Sequence, residues 1–170
     1  MTSPEHLGRD GVCERELYLI DVRRPEDIPL ELSFTGRFFV CLLAWDASTC
    51  TEEATKELAR RLLTAGCVYV CCWGSGCERV HDLFDEADIA LSPEGPFLMS
   101  TWHDNEPLSE AIWFMLFNTY PDEAFFDECR SAVGISIGSS EWAGEIRTAM
   151  AYPREFSDRV VSRLQDRRIR

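Results

Sequence analysis

Short apolar runs alternate with amphipathic segments along the chain. Three runs, FFVCLLAW (38–45), CVYVCCW (67–73) and FLMSTW (97–102), each end in tryptophan and are followed at once by small or polar residues. Continuous apolar runs of this length are typical of β-strands that are buried on both faces. Together with ELYLIDV (16–22) and AVGISIG (132–138), the pattern predicts five strands.

Helical patterns fill the intervals between these strands. Residues 52–65 place their apolar side chains on one face, as an amphipathic helix requires. The sequence Ser75-Gly76-Cys77-Glu78 has the spacing of an S-x-x-E capping box, which predicts a helix start directly after the second strand. Further helices are expected from Pro107 to Tyr120, through about Met150, and from Pro153.

Strands that alternate with helices of about 10–15 residues indicate βαβ units and a parallel sheet. We therefore predict an α/β fold, a single Rossmann-like or flavodoxin-like three-layer domain with a mainly parallel sheet. Residues 1–150 are expected to form this domain, with residues 1–35 as an N-terminal strand and cover segment. Residues 151–170 are expected to form an Arg-rich helix packed on it.

The chain is strongly acidic, with 30 Asp and Glu against 17 Lys and Arg and a formal net charge of -13. Nucleic-acid binding depends largely on Lys and Arg that neutralise phosphates, and an acidic protein repels a polyanion. We therefore predict no nucleic-acid partner and favour a basic protein partner. Only the final segment, 151–170, is basic, with six Arg against three acidic residues.

Neither a membrane span nor a secretory signal is expected. No apolar run approaches the ~20 residues that cross a bilayer, and the start MTSPEHLGRDGVCERE has no apolar stretch after a basic head. We expect a soluble, cytoplasmic protein that does not bind membranes. The eight cysteines contain no C-x-x-C pair, so no metal site is predicted, and the sequence leaves the cofactor unknown.

Polar residues follow each predicted strand, at the place where open parallel sheets bind ligands. His103 and Asp104 follow the third run, and Asp46 follows the first. A carboxylate that orients an imidazole can supply a general base, and the same groups can bind a divalent ion. The structural alternative is a turn at Asp104 or Asn105, with His103 hydrogen-bonded to the backbone. We treat Asp46, His103 and Asp104 as the candidate catalytic residues.

The same rim carries candidate ligand-binding residues, and the tryptophans that end the runs either wall a pocket or pack under helices. Gly74-Ser75-Gly76 can present backbone N–H groups to an anion, although it matches neither G-x-G-x-x-G nor a P-loop. A tight turn is the alternative. Cys77 lies in the first helical turn, where the helix dipole lowers a thiol pKa. The full set is Ser48, Gly74, Ser75, Gly76, Cys77, Asn105, Ser139 and Ser140.

The segment LSEAIWFMLF (108–117) is apolar on all sides of the predicted helix. Trp113, Phe114 and Phe117 lie away from the side expected to face the core, so something further must cover them. The N-terminal forty residues, the final helix or a second protein could supply that cover. Trp, Phe and Met are enriched in interface cores, which makes these three residues the candidate interface.

Residues 101–114, TWHDNEPLSEAIWF, resemble a segment of an uncharacterised bacterial family of small α/β proteins. The resemblance extends over about residues 35–150. It implies a bacterial source and a single domain. It brings no activity, so no site residue follows from it.

Three functions remain open at this point. The favoured one is a non-catalytic interaction module, immunity or antitoxin-like or an accessory subunit, with a protein partner or a homo-oligomer. The alternative is a small enzyme or a nucleotide- or phosphoester-binding protein that uses Asp46, His103 and Asp104 on a small-molecule ligand. The third is a thiol sensor based on Cys77, with Cys13 or Cys50.

Overall fold

Six β-strands form one mixed sheet in the computed structural model, which describes residues 3–170. The strands are β1 (Glu5–Arg9), β2 (Glu16–Val22), β3 (Phe38–Trp45), β4 (Cys67–Trp73), β5 (Met99–His103) and β6 (Cys129–Ile137). Their order across the sheet is β1-β2-β6-β3-β4-β5. β1 is antiparallel to β2, and all other neighbours are parallel.

Five α-helices cover both faces of this sheet. They are α1 (Glu52–Thr64), α2 (Cys77–Leu91), α3 (Leu108–Phe117), α4 (Ser140–Ala151) and α5 (Pro153–Ile169), and Pro25–Asp27 and Glu123–Glu128 form short 3-10 helices. α1 and α2 pack on one face, whereas α3, α4 and α5 pack on the other. The prediction of an α/β fold with a mostly parallel sheet is therefore confirmed.

The two helical layers explain why the strand sequences are continuously apolar. Successive side chains of a strand point to opposite faces, so a strand covered on both sides needs apolar residues at every position. In β3, Leu43 belongs to the core under α1 and α2, and its neighbour Leu42 belongs to the core under α3 and α4. Both side chains are buried.

The structure departs from the predicted elements in three places. β1 was not predicted. β5 was expected to be buried on both faces, but it is the last strand of the sheet, and Met99 and Trp102 are 44% and 46% exposed. The capping box at the start of α2 does not form, because Gly76 is the N-cap residue and no side chain caps the helix.

The chain connections diverge at the carboxyl ends of the neighbouring strands β3 and β6. The chain leaves β3 towards α1 on one face and leaves β6 towards α4 on the opposite face. Open α/β sheets bind ligands at such points, where adjacent connections diverge. Within residues 3–170, no helix combines the length and the apolar character needed to cross a membrane.

Candidate functional site

The carboxyl ends of β3, β4 and β5 surround a small pocket, which we call the strand-end pocket. Its volume is about 280 Å³. It is lined by Asp46, Trp73, Gly74, Ser75, His103, Asp104, Asn105, Glu106 and Trp142. Six of these residues were predicted from the sequence, and the structure brings them together in one place. Trp73 was predicted only as one of the strand-end tryptophans, and Glu106 and Trp142 were not predicted at all.

Close backbone contact between β3 and β4 shapes the floor of the pocket. Gly74 has φ +111°, and a Cβ atom there would overlap the Trp45 carbonyl oxygen. The Ala47 N–H donates a hydrogen bond of 2.9 Å to the Ser75 carbonyl oxygen. Only glycine allows this approach without strain, so Gly74 holds the two strand ends side by side.

Two tryptophan rings form a corner of the pocket. The centroids of Trp73 and Trp142 lie 5.2 Å apart, and the ring planes meet at 88°. The Trp73 indole N–H donates to the Glu106 carbonyl oxygen at 2.9 Å, which fixes the orientation of that ring. Trp142 comes from the first turn of α4, directly after the Ser139 cap. Both rings are half-buried and expose part of their surface to the pocket.

The pocket is acidic, because Asp46, Asp104 and Glu106 line it and no Lys or Arg does. Asp46 accepts hydrogen bonds from the Ser48 hydroxyl and, at 3.1 Å, from the Ser48 N–H. These bonds lower the pKa of Asp46 and keep it ionised. Asp104 is exposed. Among the hydrogen bonds and ion pairs of residues 3–170, none involves the Asp104 carboxylate.

His103 is held within the protein and is only 5% exposed. Its Nδ1 lies 3.2 Å from Glu106 Oε2, and its Nε2 lies 3.0 Å from Thr101 Oγ1. The ring also packs edge-on against Phe114, with centroids 4.9 Å apart. The carboxylate partner of His103 is therefore Glu106 and not the predicted Asp104. With both ring nitrogens engaged, neither is free for a substrate in this geometry.

Cys77 is buried beneath the rim and is 4% exposed. Burial raises the pKa of its thiol, and the nearby Asp104 carboxylate raises it further. The sequence predicted the opposite shift from the helix dipole. Desolvation outweighs the dipole here, because a thiolate is disfavoured wherever water is excluded. Burial also raises the pKa of Cys13 and Cys50, the other candidate sensor thiols.

The remaining predicted ligand-binding residues lie beside the pocket or in a neighbouring cleft. Ser48 forms the turn with Asp46, and Gly76 packs next to it. Ser139 and Ser140 line a separate, open cleft of about 1100 Å³ together with residues 21–23 and 26–30. Ser139 also accepts a hydrogen bond from the Trp142 N–H at 3.3 Å, as an N-cap of α4. The predicted rim is therefore divided into two depressions.

The candidate interface residues of α3 are packed against the protein's own core. Trp113, Phe114 and Phe117 are half-buried and contact the core under α3, α4 and α5. The Trp113 indole N–H donates to the Ser157 hydroxyl of α5 at 3.0 Å. Of the covers that the sequence left open, the structure supplies the final helix.

Within residues 3–170, no group of three or more His, Cys, Asp or Glu side chains is arranged to hold a metal ion. All eight cysteines are free thiols. The carboxylates of the strand-end pocket lie beside two tryptophan rings. An organic cation can interact with both kinds of group.

Comparison with known proteins places the chain in one family. The model of a domain of unknown function (DUF7684) matches residues 17–153, which is well over half of the chain. The match includes the segment 101–114 and agrees with the resemblance to an uncharacterised family. No curated protein and no solved structure matches the chain.

Proposed function

The chain belongs to the family of the domain of unknown function DUF7684, and from that premise we propose a function based on the pocket itself. The protein is a non-catalytic, acidic interaction module that docks a basic partner protein. A cationic side chain of the partner enters the strand-end pocket. The alternative function, a small enzyme, has weaker support in the geometry.

The observation that carries this proposal is the right-angled pair of Trp73 and Trp142 beside three carboxylates. A cation over a tryptophan face is attracted by about 0.5–2 kcal/mol, depending on how far it is desolvated. The carboxylates of Asp46 and Asp104 add Coulombic attraction. A volume of about 280 Å³ is large enough for a guanidinium or an ammonium head group.

The arrangement of the titratable groups supports binding rather than catalysis. A general base must present a free acceptor atom to the proton that it removes. His103 has both ring nitrogens engaged, the lowered pKa of Asp46 makes its carboxylate a weaker base, and burial keeps the Cys77 thiol protonated at neutral pH. None of the three offers an activated base or nucleophile to a ligand in the pocket.

Two properties of the whole chain fit a basic partner in the cytoplasm. The net charge of -13 steers a positively charged protein towards the surface and speeds association. Eight free thiols fit a reducing compartment, where disulfides are rare. We also retain the assignment to a Rossmann-like or flavodoxin-like domain, supported by helices on both faces of a mostly parallel sheet.

Blocked amino acids test the pocket without requiring the natural partner. We expect N-acetyl-arginine amide and choline to shift the indole ¹H–¹⁵N signals of Trp73 and Trp142, whereas the signal of Trp113, whose N–H is bonded to Ser157 outside the pocket, stays in place. N-acetyl-glutamate amide should shift none of the three. Equal shifts with the acidic probe, or no shift with either cation at millimolar concentration, would contradict the proposal.

Asp104→Asn is the sharpest variant, because its carboxylate has no hydrogen bond to residues 3–170 to lose. Removing one charge about 4 Å from a surface cation should cost ~1 kcal/mol, which is about fivefold in affinity. Asp158→Asn, on the exposed side of α5, removes the same charge elsewhere and should leave the affinity unchanged. Equal effects from the two variants would show that only net charge matters.

A further inference from the structure

The two edges of the sheet differ in how they are protected. Edge strands expose unpaired backbone groups, and proteins guard them with charges, prolines or bulges. β1 is guarded: a register shift interrupts its pairing between His6 and Gly8, and Glu5 forms an ion pair with Arg147 at 3.0 Å. His6 also pairs with Glu16 at 2.7 Å. This edge resists the addition of another strand.

The opposite edge, β5, has none of these devices. Its sequence, MSTWH, contains no proline and no Lys, Arg, Asp or Glu. All five residues pair in register with β4, without a bulge. Within residues 3–170, no other strand and no turn hydrogen bond occupies the outer side of β5. A regular, open row of backbone donors and acceptors is left there.

Exposed apolar side chains surround this open edge. Phe97, Met99 and Trp102 are 46%, 44% and 46% exposed, and Ile89 of α2 is 58% exposed. Between α2 and β5 lies a groove of about 570 Å³, which we call the edge groove. It is lined by His81, Asp85, Asp88, Ile89, Pro93, Phe97, Leu98, Met99 and Ser100. Grouped apolar exposure of this kind marks an interaction surface.

The negative charge of the carboxylates in the edge groove favours a basic partner. Asp85 accepts from the Ser100 hydroxyl at 2.6 Å, and Asp88 accepts from the Leu98 N–H at 2.8 Å, so both are fixed along the groove wall. The one basic group in the lining, His81, lies 2.9 Å from Asp82 and 3.6 Å from Asp85, so a single imidazole is shared between two carboxylates. A second copy of the chain would bring the same carboxylates and a net charge of -13 against this wall. Like charges placed together oppose such a dimer.

We infer that β5 and the edge groove form a docking site for an extended, basic segment of a partner protein. The segment adds to the sheet as a further strand, with its backbone paired to β5. Its apolar side chains contact Phe97, Met99 and Ile89, and its basic side chains face Asp85 and Asp88. The surface is separate from the strand-end pocket, so each can fail without the other.

A labelled peptide of alternating valine and arginine, about six residues long, is a suitable probe, since this is the usual length of a strand. Fluorescence anisotropy should show binding that weakens as salt is raised from ~0.1 M to ~1 M, where the Debye length falls from about 10 Å to about 3 Å. The same peptide with valine and glutamate should not bind. Methylation of alternate backbone nitrogens should abolish binding, because it removes the donors that pair with β5.

Two substitutions of exposed residues locate the site. Met99→Lys places a charge on the open edge, and Phe97→Ser removes an apolar contact without adding charge. Each should weaken peptide binding by about tenfold or more, which is ~1.4 kcal/mol. Val12→Lys, at a residue that is 77% exposed and follows the opposite edge strand, adds the same charge and should change binding less than twofold.

Four results would overturn the inference. These are no peptide binding, equal binding of the acidic peptide, binding that survives backbone methylation, and binding that survives Met99→Lys in a variant with an unchanged melting temperature. Sedimentation of the unliganded protein provides a further test. A dimer that Met99→Lys dissociates would show that the edge accepts a second copy of the chain, in contradiction to the assignment of a basic partner.

Discussion

Substitution of Phe156 tests whether α5 stays packed on α3 in solution. The side chain is 4% exposed, and Phe156 and Val160 are the two buried residues of α5. Phe156→Ala should destabilise the fold, because it removes a ring from the core that α5 shares with α3 and α4. Such truncations cost about 3–5 kcal/mol in a rigid core. We expect the free energy of unfolding to fall by ~3 kcal/mol, at the lower end of this range, because a terminal helix can shift and partly fill the cavity.

Urea denaturation followed by far-UV circular dichroism measures this loss as a shift of the midpoint at constant slope. Tyr152→Ala is the matched control, because Tyr152 immediately precedes α5 and is 63% exposed. Its free energy of unfolding should change by less than about 0.5 kcal/mol. The indole signal of Trp113, which is bonded to Ser157, should shift in the Phe156 variant and stay in place in the control.

A loss below about 1 kcal/mol on Phe156→Ala would refute the reasoning, since core truncations of this size do not cost so little when the contact is intact. It would mean that α5 is detached from α3 in solution. Trp113, Phe114 and Phe117 would then be open to a partner, and the interface predicted from the sequence would regain support over internal cover.

Two further predictions concern the rim. Gly74→Ala should lower the free energy of unfolding by about 2 kcal/mol or more, measured by thermal and urea denaturation. An alanine is strained at φ +111°, and its Cβ would overlap the Trp45 carbonyl oxygen. An unchanged stability would mean that the ends of β3 and β4 are not in close contact. Cys77 should react with iodoacetamide more slowly than in the urea-unfolded chain at pH 7, and its rate should level off at a higher pH, because burial raises the pKa of its thiol. Faster reaction in the folded protein would restore the thiol sensor.

The central strands were predictable because they are buried on both faces. β3 and β4 coincide with the apolar runs 38–45 and 67–73, in which every position meets a helical layer. The strand-end pocket followed from the same pattern. Parallel strands end at one edge, so the residues after them must lie close together, and Asp46, Ser75 and His103 do so.

The order of the strands and the contacts between residues distant in sequence could not be predicted in the same way. The run 97–102 was predicted to be buried like the central strands, but its place at the edge depends on strand order, which no local pattern encodes. Trp142 reaches the pocket only because β6 lies beside β3. Buried Arg15 bonds Thr119 across 104 positions of sequence, a contact invisible to periodicity. β1 is short and polar, so it carried no strand signal.

The turn after β5 gives His103 a different carboxylate partner from its neighbour in sequence. His103 and Asp104 are neighbours in sequence, but consecutive side chains leave a strand in opposite directions. Asn105 adopts φ +58°, and the turn carries Glu106 back to His103 Nδ1. Both ring nitrogens of the histidine thereby have partners inside the protein, and Asp104 is left exposed at the pocket, where its carboxylate bonds to no other group in the described part of the chain. A pair that suggests a general base in sequence therefore becomes, in the fold, a structural histidine and a carboxylate available to a cation.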